Sequence, residues 1–142
     1  RTAMIQIIAG EKGKGKTKIL LDKANAEVLT TTGTLAFIDK NNRHMYELNN
    51  KIRLISAKDY FVNDAKEFAG FIAGLISQDN DLAKVYLDGF LSIAPMDNDE
   101  LTVFIEKLNT LSNAYDVDFV ISISRDECNL PEIAKPCVIV SL

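Results

Sequence analysis

Residues 10–17 read Gly-Glu-Lys-Gly-Lys-Gly-Lys-Thr, and no other stretch of the chain restricts its fold so strongly. The spacing is G-x-x-x-x-G-K-[ST]. Gly10, Gly13 and Gly15 admit backbone angles closed to other residues, so successive N–H groups can turn into one concavity. The run Met4-Ile5-Gln6-Ile7-Ile8-Ala9 before the loop reads as a buried strand. Lys18-Ile19-Leu20-Leu21 after it opens a helix. The concavity then lies at the positive end of that helix, where anions are favoured. A solvated turn of glycines and lysines would need neither flank.

In such a loop Lys16 reaches the terminal phosphates of a nucleotide, and the hydroxyl of Thr17 ligates Mg²⁺. Glu11, Lys12, Lys14 and Lys18 complete the candidate nucleotide-binding stretch from Gly10. Four lysines, at 12, 14, 16 and 18, fall within seven positions of a chain whose net charge is −4. A local cationic patch on an acidic chain suits a small polyanion, and nucleic acid is not indicated. For Lys18 a solvent-facing role is the preferred alternative.

A second signal lies at Lys84-Val85-Tyr86-Leu87-Asp88, a short apolar strand ending in aspartate. Placed downstream of the glycine loop, Asp88 is expected to hold Mg²⁺ together with Thr17, through a coordinated water. The alternative is that Asp88-Gly89 is only a turn at a strand end.

Between and after these motifs, strand and helix patterns alternate. Residues 16–31 read as a helix stopped at Gly33, a glycine suited to a left-handed cap. Residues 35–38, 51–55, 119–124 and 138–140 read as further strands. Residues 64–76 read as an amphipathic helix with an aromatic stripe for the core, and residues 97–113 as another. Asp64 with Glu67, and Asp97 with Glu100, resemble capping boxes. The expected fold is a single α/β domain over residues 1–142, three-layered, with a mainly parallel, five-stranded sheet. Met4 is expected to be the natural start, with residues 1–3 an added remnant.

Ligands of open α/β sheets bind beyond the carboxyl ends of the strands. Asp39, Arg43 and His44 follow one such end, and Ser124 and Arg125 follow another. They form a candidate second site for an acceptor or for the γ-phosphate. A solvated connection at residues 40–50, and an exposed end-of-strand charge at Arg125, are the alternatives.

Composition narrows the field. No apolar run approaches the length of a membrane span, and no export signal is recognisable, so a cytoplasmic location is expected. Two cysteines, Cys128 and Cys137, and one histidine, His44, offer no zinc-ligand spacing.

The two motifs together resemble the Walker A and Walker B elements of P-loop nucleoside triphosphatases. Ser122 and Ser124, on a late strand, resemble the sensor strand of the RecA-like group, and no guanine-specifying N-K-x-D motif is present. The chain is also distantly similar to twitching-motility ATPases, over the nucleotide-binding core alone. The resemblance implies a P-loop fold with a later strand inserted between the two motif strands. It implies ATP and Mg²⁺ as cofactors, and Lys16 and Asp88 as catalytic residues. It leaves any protein partner open. One departure stands out: Gly89 and Phe90, not glutamate, follow Asp88. Asp39, Asp126 and Glu127 are the candidates to orient water. Slow hydrolysis, a non-catalytic nucleotide switch and a small-molecule kinase all remain open at this point.

Overall fold

A computed structural model describes residues 4–142; the expected added remnant at residues 1–3 lies outside the described residues. Six strands form one sheet: β1 (Ile5–Ala9), β2 (Thr34–Asp39), β3 (Arg53–Ser56), β4 (Leu82–Leu87), β5 (Asp118–Ile123) and β6 (Val138–Ser141). Every neighbouring pair is parallel, in the order β3-β2-β4-β5-β1-β6. The sheet thus has six strands rather than the expected five, because both short outer runs pair. β3 extends it beyond β2, and β6 beyond β1.

The order also places β5 between β1 and β4, so a later strand separates the two motif strands. Parallel neighbours need crossovers: residues 40–52 join β2 to β3, 3₁₀ turns lead into β6, and helices supply the rest. They are α1 (Lys16–Glu27), α2 (Ala65–Gln78), α3 (Phe90–Ile93) and α4 (Asn98–Tyr115).

Side chains alternate between the two faces of each strand, and the core divides accordingly. Ile8, Leu35, Phe37, Tyr86 and Val120 pack with Leu20, Leu21 and Ala24 of α1 and with Leu48 and Ile52 of the 40–52 connection. Ile7, Ala36, Ile38, Val85, Leu87, Phe119 and Ile121 pack on the opposite face, against α2, α3 and α4. There the aromatic stripe works as core packing. Phe68, Phe90 and Phe104 meet at ring separations of 5.0 to 5.6 Å.

Helix ends follow local chemistry. α4 starts with a full capping box: Asp97 accepts from Glu100 N–H at 2.8 Å, and Glu100 accepts from Asp97 N–H at 3.2 Å. At α2 only half of that pattern forms. Asp64 accepts from Glu67 N–H, but Glu67 reaches back to Asn63 instead.

α1 ends at Glu27, earlier than expected, and residues 28–30 turn away. Gly33 is not a left-handed cap. A Cβ there would stand 2.6 Å from the Asp81 carbonyl, so glycine is needed where β2 enters beside β4.

Candidate functional site

The alternation that builds the core also builds the site. Phe37, Tyr86 and Val120 face α1. Two residues further along each strand stand Asp39, Asp88 and Ser122, on the same side and at the carboxyl edge. The pairs Ile38–Leu87 and Leu87–Ile121 fix the register, so these three polar residues share the next rung. Asp88 N–H donates to the Ile38 carbonyl at 2.9 Å, which holds that rung together.

Between β1 and α1 the loop turns through left-handed angles, with φ of +87° at Gly13 and +92° at Gly15. A side chain at either would carry backbone strain. An added Cβ would meet nothing within 4 Å at either glycine, so the loop backbone borders open space. Gly10 anchors the start by donating its N–H to the Arg125 carbonyl at 2.8 Å.

Lys16, the first residue of α1, is 7% exposed, and its Nζ donates to the Glu11 carbonyl at 3.0 Å. Burial pushes its ammonium pKa down, and the Asp88 carboxylate opposes that shift. Thr17 donates its hydroxyl to Asp88, with oxygens at 3.1 and 3.3 Å. Ser122 also donates its hydroxyl to the Asp88 carboxylate, at 2.8 Å.

The cleft so formed has a volume of about 500 Å³. Lys12, Gly13, Gly15, Lys16 and Thr17 line it together with Asp39, Arg43, Asp88 and Ser124. Donor set and shape suit a Mg²⁺-bound polyphosphate. Backbone amides stand at a helix N-terminus, a buried ammonium beside them, and a hydroxyl next to a carboxylate.

The remaining sequence candidates divide. Lys14 and Lys18 are exposed and line no part of this cleft; Lys18 pairs with Asp22 at 3.3 Å on the helix surface. Glu11 offers its carbonyl to Lys16 while its side chain is exposed. Arg125 is a correction. Its guanidinium donates to the Met96 carbonyl and to Asn98 Oδ1 at 2.6 Å, tying β5 to the start of α4 instead of entering the cleft. Asp126 accepts from Cys128 N–H at 3.0 Å and caps a 3₁₀ turn. The Cys128 thiol, and then that N–H, hold its carboxyl pKa low, with Lys14 adding to the effect.

Asp39 is 5% exposed. Burial, and then the Asp88 charge, raise its pKa above the ordinary value. His44 stands nearby, its Nδ1 3.1 Å from Glu47 Oε1.

Sequence reasoning named Ser122 only through its resemblance to a sensor strand, not as the donor to Asp88, and did not single out Lys40, Asn41 and Ser92 as lining residues. For Ser122 a signal existed: counting to the ends of β4 and β5 puts it level with Asp88.

No protein-family model matches the chain, and no curated protein matches it in sequence. Solved structures do match in fold. The flagellar accessory protein FlaH from Methanocaldococcus jannaschii is similar with a TM-score of 0.52 at 13% identity. The match covers 92% of this chain and 64% of FlaH, so the chain spans under two thirds of that protein. The fold is a RecA-like P-loop fold. No helix among the described residues is long and apolar enough to cross a membrane.

Proposed function

We propose that this chain binds Mg²⁺-complexed nucleoside triphosphate, ATP foremost, and hydrolyses it slowly. The observation that carries the reading is the joint placement of Lys16, Thr17 and Asp88. A buried lysine opens α1, and the next residue is already hydrogen-bonded to the carboxylate at the end of β4. Lys16 would leave the Glu11 carbonyl for a terminal phosphate. Thr17 and Asp88 would hold Mg²⁺, directly and through water. The ion supplies charge neutralisation at the phosphates.

Slow turnover, as opposed to fast, is supported by Asp39. Among the described residues Asp39 and Asp88 are the buried carboxylates at this edge; Asp118, also buried, starts β5 at the other end. With Asp88 occupied at the metal, Asp39 is left to orient water. It stands at the end of β2 and not directly after Asp88, where Gly89 and Phe90 follow, so no carboxylate is tied to the metal-holding residue to position that water. A non-catalytic switch is the second reading, and the same observation favours it. Residence in the cytoplasm and a protein partner belong to the proposal as expectations.

Calorimetry with ATP, GTP and ADP, each with and without Mg²⁺, tests the binding. Phosphate release by wild type against Lys16→Ala tests the turnover. Mg²⁺-ATP binding without phosphate release leaves the switch. No heat with any nucleotide removes both readings.

A further inference from the structure

We propose that Asp39, His44 and Asp88 form a binding site for a divalent first-row transition-metal ion of the Mn²⁺ or Co²⁺ class, beside the phosphate loop and independent of nucleotide. One ligand atom from each residue lies within 4.8 Å of the other two. Two observations beyond the clustering point to a cation.

The first is Asp39 Oδ2, which is buried and meets no hydrogen-bond partner in a residue only 5% exposed. Its other oxygen accepts from Lys40 N–H at 2.6 Å. A buried carboxylate oxygen without a partner is costly, and here a second buried carboxylate, Asp88, stands beside it. A dication between the two offsets both charges.

The second is the His44 ring. Nδ1 faces Glu47 Oε1 at 3.1 Å, while Nε2 is buried with no partner. The Glu47 acceptor places the ring proton on Nδ1 and leaves the Nε2 lone pair free. A carboxylate behind a ligating imidazole is the arrangement that orients the ring and raises its basicity for a metal.

The donor set selects the class of ion. Mg²⁺ and Ca²⁺ take oxygen ligands alone, whereas two carboxylates with one imidazole suit a first-row transition-metal dication: the carboxylates accept Mn²⁺ and the imidazole favours the later metals. Bond lengths near 2.0–2.2 Å put neighbouring ligands about 3–3.5 Å apart, so closure needs a shift of roughly 1 Å. His44 sits in the surface turn of residues 41–47 and can supply that shift, whereas Asp39 and Asp88 are fixed by the β2–β4 register. Asp88 is shared with the Mg²⁺ position proposed above; Asp39 and His44 are not.

The test is titration of the purified chain with Mn²⁺ and no nucleotide, reading free Mn²⁺ by electron paramagnetic resonance. One saturable site is expected. Its affinity should fall at least tenfold in His44→Ala and in Asp39→Asn, fall about tenfold in Glu47→Gln, and persist in Lys16→Ala. Calorimetry with Mg²⁺-ATP on the same variants separates the two readings, because Lys16→Ala should lose nucleotide and His44→Ala should keep it. Circular dichroism confirms that each variant is folded. The chain has one histidine, so its ring nitrogens give a readout on the unaltered protein: saturating Zn²⁺ should shift Nε2 by ligation and leave Nδ1 protonated. No saturable Mn²⁺ site in wild type, undiminished affinity in folded His44→Ala, or no Nε2 shift would overturn the proposal.

Discussion

Ser122 donates its hydroxyl to Asp88 Oδ1 at 2.8 Å, and the Ser122 Oγ accepts from Gly89 N–H at 3.2 Å. One side chain of β5 therefore fixes both the carboxylate at the end of β4 and the backbone just beyond it. This contact exists because β5 lies next to β4; had β1 paired directly with β4, that place would belong to β1. A hydrogen bond to a charged acceptor contributes about 1.5–3 kcal/mol. Ser122→Ala is expected to weaken Mg²⁺-ATP binding by roughly tenfold, with little change in Mg²⁺-free binding. Calorimetry with and without Mg²⁺ reads the difference, and equal loss in both would place the role of Ser122 elsewhere.

Lys16→Ala removes a buried ammonium whose pKa burial already depresses. Two charge-assisted contacts to phosphate, at about 1.5 kcal/mol each, predict a loss of nucleotide affinity of at least roughly 100-fold. The ligand-free fold should not suffer, since the variant gives up a charge that the site partly desolvates. A thermal midpoint equal to or above that of wild type, together with lost nucleotide protection, is the expected pair of results.

Asp39 predicts a pH effect of unusual sign. Its folded-state pKa is raised above the ordinary 3.8, first by burial and then by Asp88. The folded chain therefore holds this proton more tightly than the unfolded chain does. Asp39 takes stability away as pH rises through the window above 3.8, the reverse of a salt-bridged aspartate. Asp39→Asn keeps the acceptor for Lys40 N–H and removes the charge. In chelator, it should stabilise the ligand-free chain at pH 7 by on the order of 1 kcal/mol, and the gain should vanish below that window. Urea midpoints at pH 7 and pH 3.5 measure it; a gain equal at both would rule out the charge as its cause.

Arg125→Ala separates anchoring from phosphate sensing. The guanidinium satisfies the Met96 carbonyl and Asn98 at the start of α4. Losing those bonds should cost about 1.5–3 kcal/mol of stability while leaving ATP affinity within about twofold under folded conditions. A large loss of affinity in a stable variant would restore the sensing role.

Much of this arrangement was legible in the residues because its causes are local. The loop 10–17 combines a backbone requirement, met by Gly13 and Gly15, with chemistry from Lys16 and Thr17 in adjacent positions. The helical stripe of Phe68, Phe71, Ile72, Leu75 and Ile76 reports a core face directly, and α2 follows it. What stayed hidden depends on pairing between distant strands. Ser122 matters only once β5 is set against β4. Arg125 and Ser124 are neighbours on the chain, yet Ser124 lines the cleft and Arg125 turns to α4. His44 gains meaning from Glu47 behind it and Asp39 in front, which no spacing rule encodes.

Gly33 shows the same limit at the far edge of the sheet, and gives a prediction free of the site. The sequence reads as a helix stop, but the backbone angle there is not left-handed and α1 has already ended. The constraint is lateral. Thr34 N–H donates to the Asp81 carbonyl at 2.7 Å, where the register between β2 and β4 shifts. A Cβ on residue 33 would stand 2.6 Å from that carbonyl oxygen and 2.7 Å from Ala83 Cβ. Both obstacles are held by strand pairing and cannot swing away as a long side chain would. Gly33→Ala should therefore destabilise the chain by about 1–3 kcal/mol, although alanine ordinarily stabilises relative to glycine by restricting the unfolded chain. Asp39 lies at the other end of β2, so nucleotide and Mn²⁺ affinities should be unchanged in the folded variant. A urea midpoint at or above that of wild type would mean that β2 enters the sheet without the close approach seen here.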